Sequence, residues 1–529
     1  MVRFRVRAGL AVNMTDIDTR AALNASGAAA VIDRLKAGAG AVPPRSLSPE
    51  ALEVADKFLE RPVSPIVLAG AVRMVEFALI VIVGMAIFAI YLPSGEGLYL
   101  RYQIATLGIA ALSMLAFQTA DIYQVQAFRG YEKQYMRLAS AWSVVFMIAI
   151  GASFFAKAGE LYSRVWLGSY YVAGLAVLIL SRNMLFFLVR KWTREGRLTR
   201  RTVIVGGGDP GARVIEELRK QKDSGVEIVG LFDDRGDNRS SADCAGERKL
   251  GTVDDLVEFG RRTRVDLVIF SLPISAEGRI LEMLKKLWVL PVDIRLAAHT
   301  NKLQFRPRSY SYIGKVPVID VFDRPIADWD VVMKWLFDKI IGSLLLIAVL
   351  PILVVTAIAI KLGSKGPIFF KQKRHGFNNE LIEVYKFRSM YTDMADAKGD
   401  KLATKNDPRV TKVGRFIRKT SIDELPQLVN VVFKGNLSLV GPRPHPVNAK
   451  AEAKLYADAV DGYFARHRVK PGITGWAQIN GWRGETDTHE KIQRRVEHDL
   501  YYIENWSVLH DLYIVARTPF ALLNTENAY

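Results

Sequence analysis

Cysteine is almost missing: Cys244 is the only one in 529 residues. A lone thiol excludes an intrachain disulfide and a cysteine-clustered zinc site, and suits soluble parts kept in a reducing cytosol. Residues 1–62 also lack an apolar run long enough for a signal peptide. They open with Arg3, Arg5 and Arg7 and pass through AGAGAVPPRSLSP, a composition that predicts a disordered cytosolic tail. Acidic residues are in deficit, 54 against 72 Lys+Arg, leaving a net charge of +18. That surplus suits anionic lipid, phosphorylated substrates or nucleic acid, and charge alone does not choose among them. Apolar residues, by contrast, are plentiful. At 50% hydrophobic and 24% charged the chain is too apolar to be disordered and too charged to lie wholly in lipid, so membrane and soluble parts are both expected. Its length exceeds the prior of about 150 residues per domain severalfold, which excludes a single small binding module.

Four apolar stretches, near 66–92, 98–120, 137–156 and 167–189, each approach the ~20 residues a helix needs to cross the hydrocarbon, which predicts a four-helix transmembrane domain over 63–190. In the first, Arg73 and Glu76 stand three apart on one face, paired or near the interface. Basic residues Arg129, Lys133 and Arg137 lie between the second and third stretches, and Arg190, Lys191, Arg194, Arg197, Arg200 and Arg201 follow the fourth. The positive-inside rule then places the N-terminus and residue 200 in the cytosol. A fifth apolar run, Trp335 to Leu362, is basic on both flanks and holds Pro351 near its middle. A crossing there would carry a basic domain outward, so a re-entrant helix broken at Pro351 is expected; the alternative is a proline-kinked spanning helix.

Thr202–Val205 reads as a strand, followed by GGGDPG, whose Gly206, Gly208 and Gly211 fit G-x-G-x-x-G, and then by a helical pattern. Further strands are predicted at 226–232, 266–271 and 291–296, so residues 200–325 read as a Rossmann-like α/β domain. Asp233 ends the second strand farther along than the usual ~20 residues, and the glycines are read as structural, serving the turn and its packing without a catalytic cofactor.

Beyond residue 362, Arg, Lys, Gly and Pro crowd into the loops SKGPIFFKQKRHG, YKFRSM, FIRKTSIDELPQLVNVVFKGNLSLVGPRP and VKPGITGWAQINGWRGETD, as around an anionic ligand. The acids Asp423 and Glu424 stand together behind Arg415, Arg418 and Lys419. Acids set among cations suit phosphoryl chemistry, one attacking and one holding a divalent metal. Ser421 and Glu424 match a capping box, but Pro426 would then fall inside the helix; with Asp423 as N-cap, Pro426 falls in the first turn and the helix runs to Gly435.

These motifs resemble the catalytic region of the monotopic phosphoglycosyl transferases, over residues 330–529, and the whole chain resembles their large subgroup. The resemblance implies four membrane helices, a Rossmann-like (CoA-binding-like) domain, and a re-entrant helix leading into an α/β monotopic catalytic domain. It implies transfer of a sugar 1-phosphate, glucose before galactose, from a UDP-sugar to undecaprenyl phosphate. Asp423 would carry the phosphosugar covalently in a ping-pong reaction that releases UMP. Glu424 would bind Mg2+, Lys386, Arg418 and Arg483 would hold phosphate, and Pro351 would break the helix. The implied setting is the bacterial inner membrane, with N-terminus and catalytic domain cytosolic, membrane lipid and a second copy of the chain as partners, and no nucleic acid. Two other classes compete with this reading: a membrane-anchored sugar-nucleotide dehydratase and a non-catalytic scaffold. No tyrosine has a lysine four residues later, as the first requires, and the second leaves the acid and arginine cluster without a purpose.

Overall fold

A computed structural model describes residues 47–56, 62–92, 96–123, 132–155, 157, 161–221, 225–235, 243–273, 276–297, 311–313, 316–392, 407–445, 450–451, 454–455, 463–482 and 488–523. Most of the expected tail, Arg129 and Arg483 lie outside them. The described end of the tail is ordered: helix α1, Pro49–Ala55, is capped by Ser48, whose hydroxyl accepts from Ala51 N at 3.2 Å and donates to Leu250 O at 2.9 Å. Leu47, Ala51 and Ala55 are buried in one core with Leu250 and Leu256. The expectation of disorder to residue 62 is therefore corrected for these ten residues; a proline at N1 and a serine cap start a helix even in a polar tail.

The chain divides into two compact units. One, Lys57–Arg201 with Leu218–Glu227, contains the long helices α2 (Pro65–Tyr91), α3 (Glu96–Thr119), α4 (Glu132–Phe155) and α5 (Arg164–Arg194). All four hold stretches long and apolar enough to cross a membrane. Their interior is aromatic and its polar tips are satisfied: Trp166 Nε1 donates to Gly84 O and Tyr170 OH to Ile80 O, both at 3.0 Å. Glu76 pairs with Arg182 of α5 at 2.7 Å rather than with Arg73, and accepts from Tyr123 OH at 2.9 Å. Glu76 faces the bundle interior at 1% exposure, while the Arg73 guanidinium lies 4.8 Å from the centroid of the Tyr123 ring. Residues three apart share a face, but only the interhelical partner can follow Glu76 inward.

The other unit contains the α/β region. Strands β1 (Arg200–Val205), β2 (Val226–Phe232), β3 (Asp243–Cys244), β4 (Glu247–Gly251), β5 (Leu267–Phe270), β6 (Asp293–Ala297), β7 (Ser311–Ile313) and β8 (Val316–Phe322) form one sheet in the order β3-β4-β2-β1-β5-β6-β8-β7. The pairs β1/β5, β5/β6 and β2/β4 are parallel, and the outer pairs are antiparallel. Helices α6 (Asp209–Lys220), α7 (Val253–Arg262) and α8 (Glu277–Leu287) alternate with the strands, as the sequence pattern predicts.

Helix α9, Trp329–Gly363, is the fifth helix among the described residues that is long and apolar enough to cross a membrane. It is continuous through Pro351, which corrects the expectation of a break: one lost main-chain bond is tolerated where the flanking turns stay intact. Before the proline, Phe337, Ile341, Leu345 and Val349 join the core of the C-terminal region. After it, Leu353, Ala357 and Ile360 pack with Ile417 and Phe387 of the same region. Both ends are tied down as well. Lys334 Nζ donates to Val440 O at 2.9 Å and to Asp511 at 2.6 Å, and Arg388 Nη2 donates to Ser364 O at 2.9 Å. Leu344, Ile347, Leu350, Val354, Val355 and Ile358 remain exposed, an apolar surface that water alone would not favour.

Candidate active site

Strands β9 (Phe369–His375) and β10 (Leu381–Phe387) form an antiparallel hairpin, and Lys386 stands on β10 opposite Phe370. Helix α10, Lys412–Lys419, starts where Thr411 accepts from Gly414 N at 2.8 Å; a side chain at Gly414 would meet Ser389 O, so glycine is required for that approach. After α10 the chain reverses at Ser421, whose φ of 58° is left-handed. It then runs helically from a tight 3-10 turn, Ile422–Glu424, to Lys434, and ends at Gly435 with φ 66°. Asp423 therefore lies inside the first turn rather than at the N-cap, and Ser421 makes no side-chain cap bond. Pro426 still falls near the helix start and Gly435 still ends it, as the sequence predicts. Asn430 locks this helix to β10: its amide donates to Glu383 O at 2.7 Å and its carbonyl accepts from Tyr385 N at 3.0 Å.

That docking brings Lys386 to Glu424, Nζ to Oε1 at 2.8 Å. Arg443 approaches the same carboxylate with both terminal nitrogens, Nη1 to Oε2 at 3.0 Å and Nη2 to Oε1 at 2.5 Å. Burial alone would raise the Glu424 carboxyl, yet Arg443 and Lys386 together hold it well below the usual range. Asp423 next to it has the opposite fate. Burial and the Glu424 charge push it up to about 6, against the pull of Lys386, Arg418 and Arg443. Burial, with the charge of Arg374 and Arg443, lowers the Lys386 ammonium despite Glu424. Arg374, also buried, drops to about 10 through burial and the neighbouring Arg443.

The cluster thus unites Asp423, Glu424, Lys386 and Arg418 among the sequence-predicted residues, and adds Arg443 and Arg374, which sequence reasoning left out. The signal for Arg443 was present in the loop GPRP, where two prolines stiffen an arginine; Arg374 had none beyond its place in a basic run. Two acids against four cations leave an excess suited to an anionic diphosphate. Beside Ser421 and Glu424 opens a cavity of about 250 Å³ lined by Leu345 and Val349 of α9 and by Val515, Thr518 and Pro519 of helix α11 (Val508–Leu523), with leucines and isoleucines between. An apolar hollow thus adjoins a charged one.

The glycine turn is tight. Gly206 and Gly208 have φ of 98° and 78°, and a side chain at Gly211 would meet Gly206 O. Asp233 accepts from Gly207 N at 2.7 Å and from Arg235 N at 2.9 Å, and Asp234 from Val253 N at 2.8 Å. The acids at the end of β2 bind their own main chain.

A hairpin cation, two adjacent acids at a helix start and an arginine-bearing proline loop thus meet beside a long apolar helix. Residues 329–525 match the bacterial sugar transferase family and residues 118–298 a CoA-binding domain. The relatives include three proteins named UDP-glucose:undecaprenyl-phosphate glucose-1-phosphate transferase. That of Klebsiella pneumoniae is 37% identical over 80% of this chain and 89% of its own. That of Escherichia coli K12 is 35% identical over 82% and 90%, and that of Xanthomonas campestris pv. campestris 32% over 86% and 94%. The chain belongs to the bacterial sugar transferases.

Proposed function

We propose that this enzyme transfers a sugar 1-phosphate, glucose 1-phosphate foremost, from a UDP-sugar to undecaprenyl phosphate, the first step of a polysaccharide assembly. The observation that carries the reading is the division of labour between neighbouring acids. Glu424 is ion-paired to Lys386 and Arg443, while Asp423 is desolvated with its carboxyl raised to about 6. At neutral pH Asp423 is ionised yet poorly hydrated, as a nucleophile should be. One Asp423 oxygen attacks the β-phosphorus, and the bond from that phosphorus to the bridging oxygen breaks. UMP leaves with the bridging oxygen and its electron pair. A phosphate oxygen of undecaprenyl phosphate then attacks the same phosphorus and returns Asp423 as carboxylate. Arg443, Lys386 and Arg418 sit where they balance charge as it moves across the phosphoryl group, and Arg483 is assigned to the same task.

Among the described residues no group of three or more His, Cys, Asp or Glu gathers as a metal site. Mg2+ needs only one or two carboxylates when substrate phosphates complete its shell. Glu424 fits that pattern: Lys386 and Arg443 take three of its roughly four acceptor directions, leaving one on Oε2. Glu424, with Asp423, would hold the ion, which would supply charge neutralisation on the diphosphate.

We place α9 as a re-entrant helix in the cytosolic leaflet of the inner membrane, because both of its halves and both of its ends pack on one soluble domain. The cavity beside Glu424 then takes the first isoprene units of the acceptor, and the N-terminus lies in the cytosol. A homodimer is the proposed assembly, to be checked by the mass of the detergent-solubilised protein. Membranes containing the protein, supplied with undecaprenyl phosphate and a panel of UDP-sugars, should release UMP fastest with UDP-glucose. UMP release with UDP-galactose alone would change the sugar, and none with any member would sink the reading.

A further inference from the structure

The end of α7 in the Rossmann-like domain bears on the catalytic region at a point remote in sequence from the reacting groups. Gly260 lies in the last turn of α7, where carbonyls lack a partner within the helix. Its carbonyl accepts from Asn378 Nδ2 at 3.0 Å. Asn378 sits in the turn joining β9 to β10, held in the left-handed region at φ 50° and ψ 31°. The next residue of α7, Arg261, places its guanidinium 5.4 Å from the centroid of the Phe464 ring. Phe464 belongs to the buried 3-10 segment Tyr463–Arg468. His467 of that segment packs against both Phe464 and His375, with ring centroids 6.0 and 5.7 Å apart.

Each of these two braced elements supplies a buried arginine to the same loop. Arg374, four residues before Asn378, is oriented by Gln372 and donates Nη1 to Pro444 O. Arg466, two residues after Phe464, is fixed by Asp499 at 2.8 Å and donates Nη2 to Arg443 O at 2.8 Å. The carbonyls of Arg443 and Pro444 are thus both held by arginines, and the side chain of Arg443 holds Glu424 with two nitrogens.

We propose that the C-terminal turn of α7 sets the position of Arg443: Gly260 and Arg261 brace the β9–β10 turn and the Tyr463–Arg468 segment, whose Arg374 and Arg466 fix the Arg443 loop. Asn378 and Arg261 are then positioning residues, and the Rossmann-like domain acts on catalysis as a brace that needs no nucleotide chemistry of its own. The inference rests on the proposed transferase reading only for its kinetic arm.

The test uses the full-length protein in lipid nanodiscs, with Asn378→Gly, which keeps the left-handed turn and removes only the amide, and Arg261→Ala. Hydrogen–deuterium exchange of the peptide spanning 438–445 is expected to quicken about fivefold in each, roughly the loss of one hydrogen bond expressed as a ratio. Exchange in helix His489–Glu504 should stay as in wild type. Initial UMP release from UDP-glucose should fall about three- to tenfold, because small displacements of a phosphate-contacting group are costly. Arg261→Lys, which keeps a cation over Phe464, should recover at least half of the rate. Unchanged exchange at 438–445 overturns the proposal, as does faster exchange with undiminished UMP release. Quickening spread through the whole catalytic region would reduce α7 to a general support and also overturn it. Absence of UMP release from the wild type would sink the transferase reading and leave the exchange arm standing.

Discussion

Arg443→Gln removes the bidentate half of the Glu424 pairing while keeping a polar side chain of similar reach. Two charge-assisted contacts are lost, and among the described residues Lys386 is left as the partner of a buried carboxylate. Glu424 should then rise from its depressed range. Asp423, which Arg443 also holds down, should move above its value of about 6. Losing one preorganised donor from a charge-stabilising site costs about a hundred- to thousandfold in rate, or about 2.7–4 kcal/mol of barrier. The acid limb of the rate profile should shift to higher pH at the same time, since a carboxylate without its cation protonates more readily. Arg443→Lys, which keeps charge without the fork, should fall between the two. The assay is single-turnover UMP release from UDP-glucose measured from pH 5 to 9. A loss below tenfold, or a limb that stays in place, would refute the view that Arg443 stabilises this site directly.

Asp423→Asn should abolish transfer while leaving the protein folded, and residual UMP release above a tenth of wild type would rule out a covalent carboxylate. The wild-type rate should decline as pH falls through about 6, because the raised Asp423 carboxyl loses its nucleophilic form there, whereas an ordinary aspartate would hold activity down to about 4. EDTA should silence the wild type, excess Mg2+ should restore it, and Glu424→Gln should weaken the response; full activity in EDTA would remove the metal from the account. A reporter fused after Tyr529 should read cytosolic, and a periplasmic signal would mean that α9 crosses the membrane.

Much of this layout was legible before any coordinates because hydrophobic periodicity and motif spacing are local. The strands at 202–205 and 226–232, the long apolar runs, and the pairing of Asp423 with Glu424 each announce themselves within a few residues. What stayed hidden depends on residues far apart in the chain. Glu76 reads locally as the partner of Arg73, three away, but its partner is Arg182, 106 residues on, because helix packing decides which face is interior. The GPRP loop marks Arg443 locally, but not its partner: Glu424 lies 19 residues earlier, and the loop is held by Arg374 and Arg466 from two further elements. The N-terminal segment misled for the same reason. Polar, proline-rich sequence is ordered when a surface awaits it, and Leu47, Ala51 and Ala55 find theirs on α7 and β4.

Pro351 shows how a correct local rule can give the wrong local structure. A proline deletes one main-chain bond, yet α9 runs through it for 35 residues. Extended at 1.5 Å per residue such a helix reaches about 50 Å, more than a bilayer core requires, so length alone favours a crossing. The packing argues otherwise. Lys334 at one end and Ser364 at the other bind the same catalytic region, through Asp511 and Val440 O in one case and Arg388 in the other. A helix spanning the hydrocarbon would have to part from one of those anchors, giving up either the salt bridge to buried Asp511 or the cap on Ser364 and leaving the abandoned polar groups in lipid. In the proposed placement, holding both anchors keeps Lys334 and Arg388 with their partners and leaves Leu344, Ile347, Leu350, Ile352, Val354, Val355 and Ile358 among the exposed residues that would meet the acyl chains.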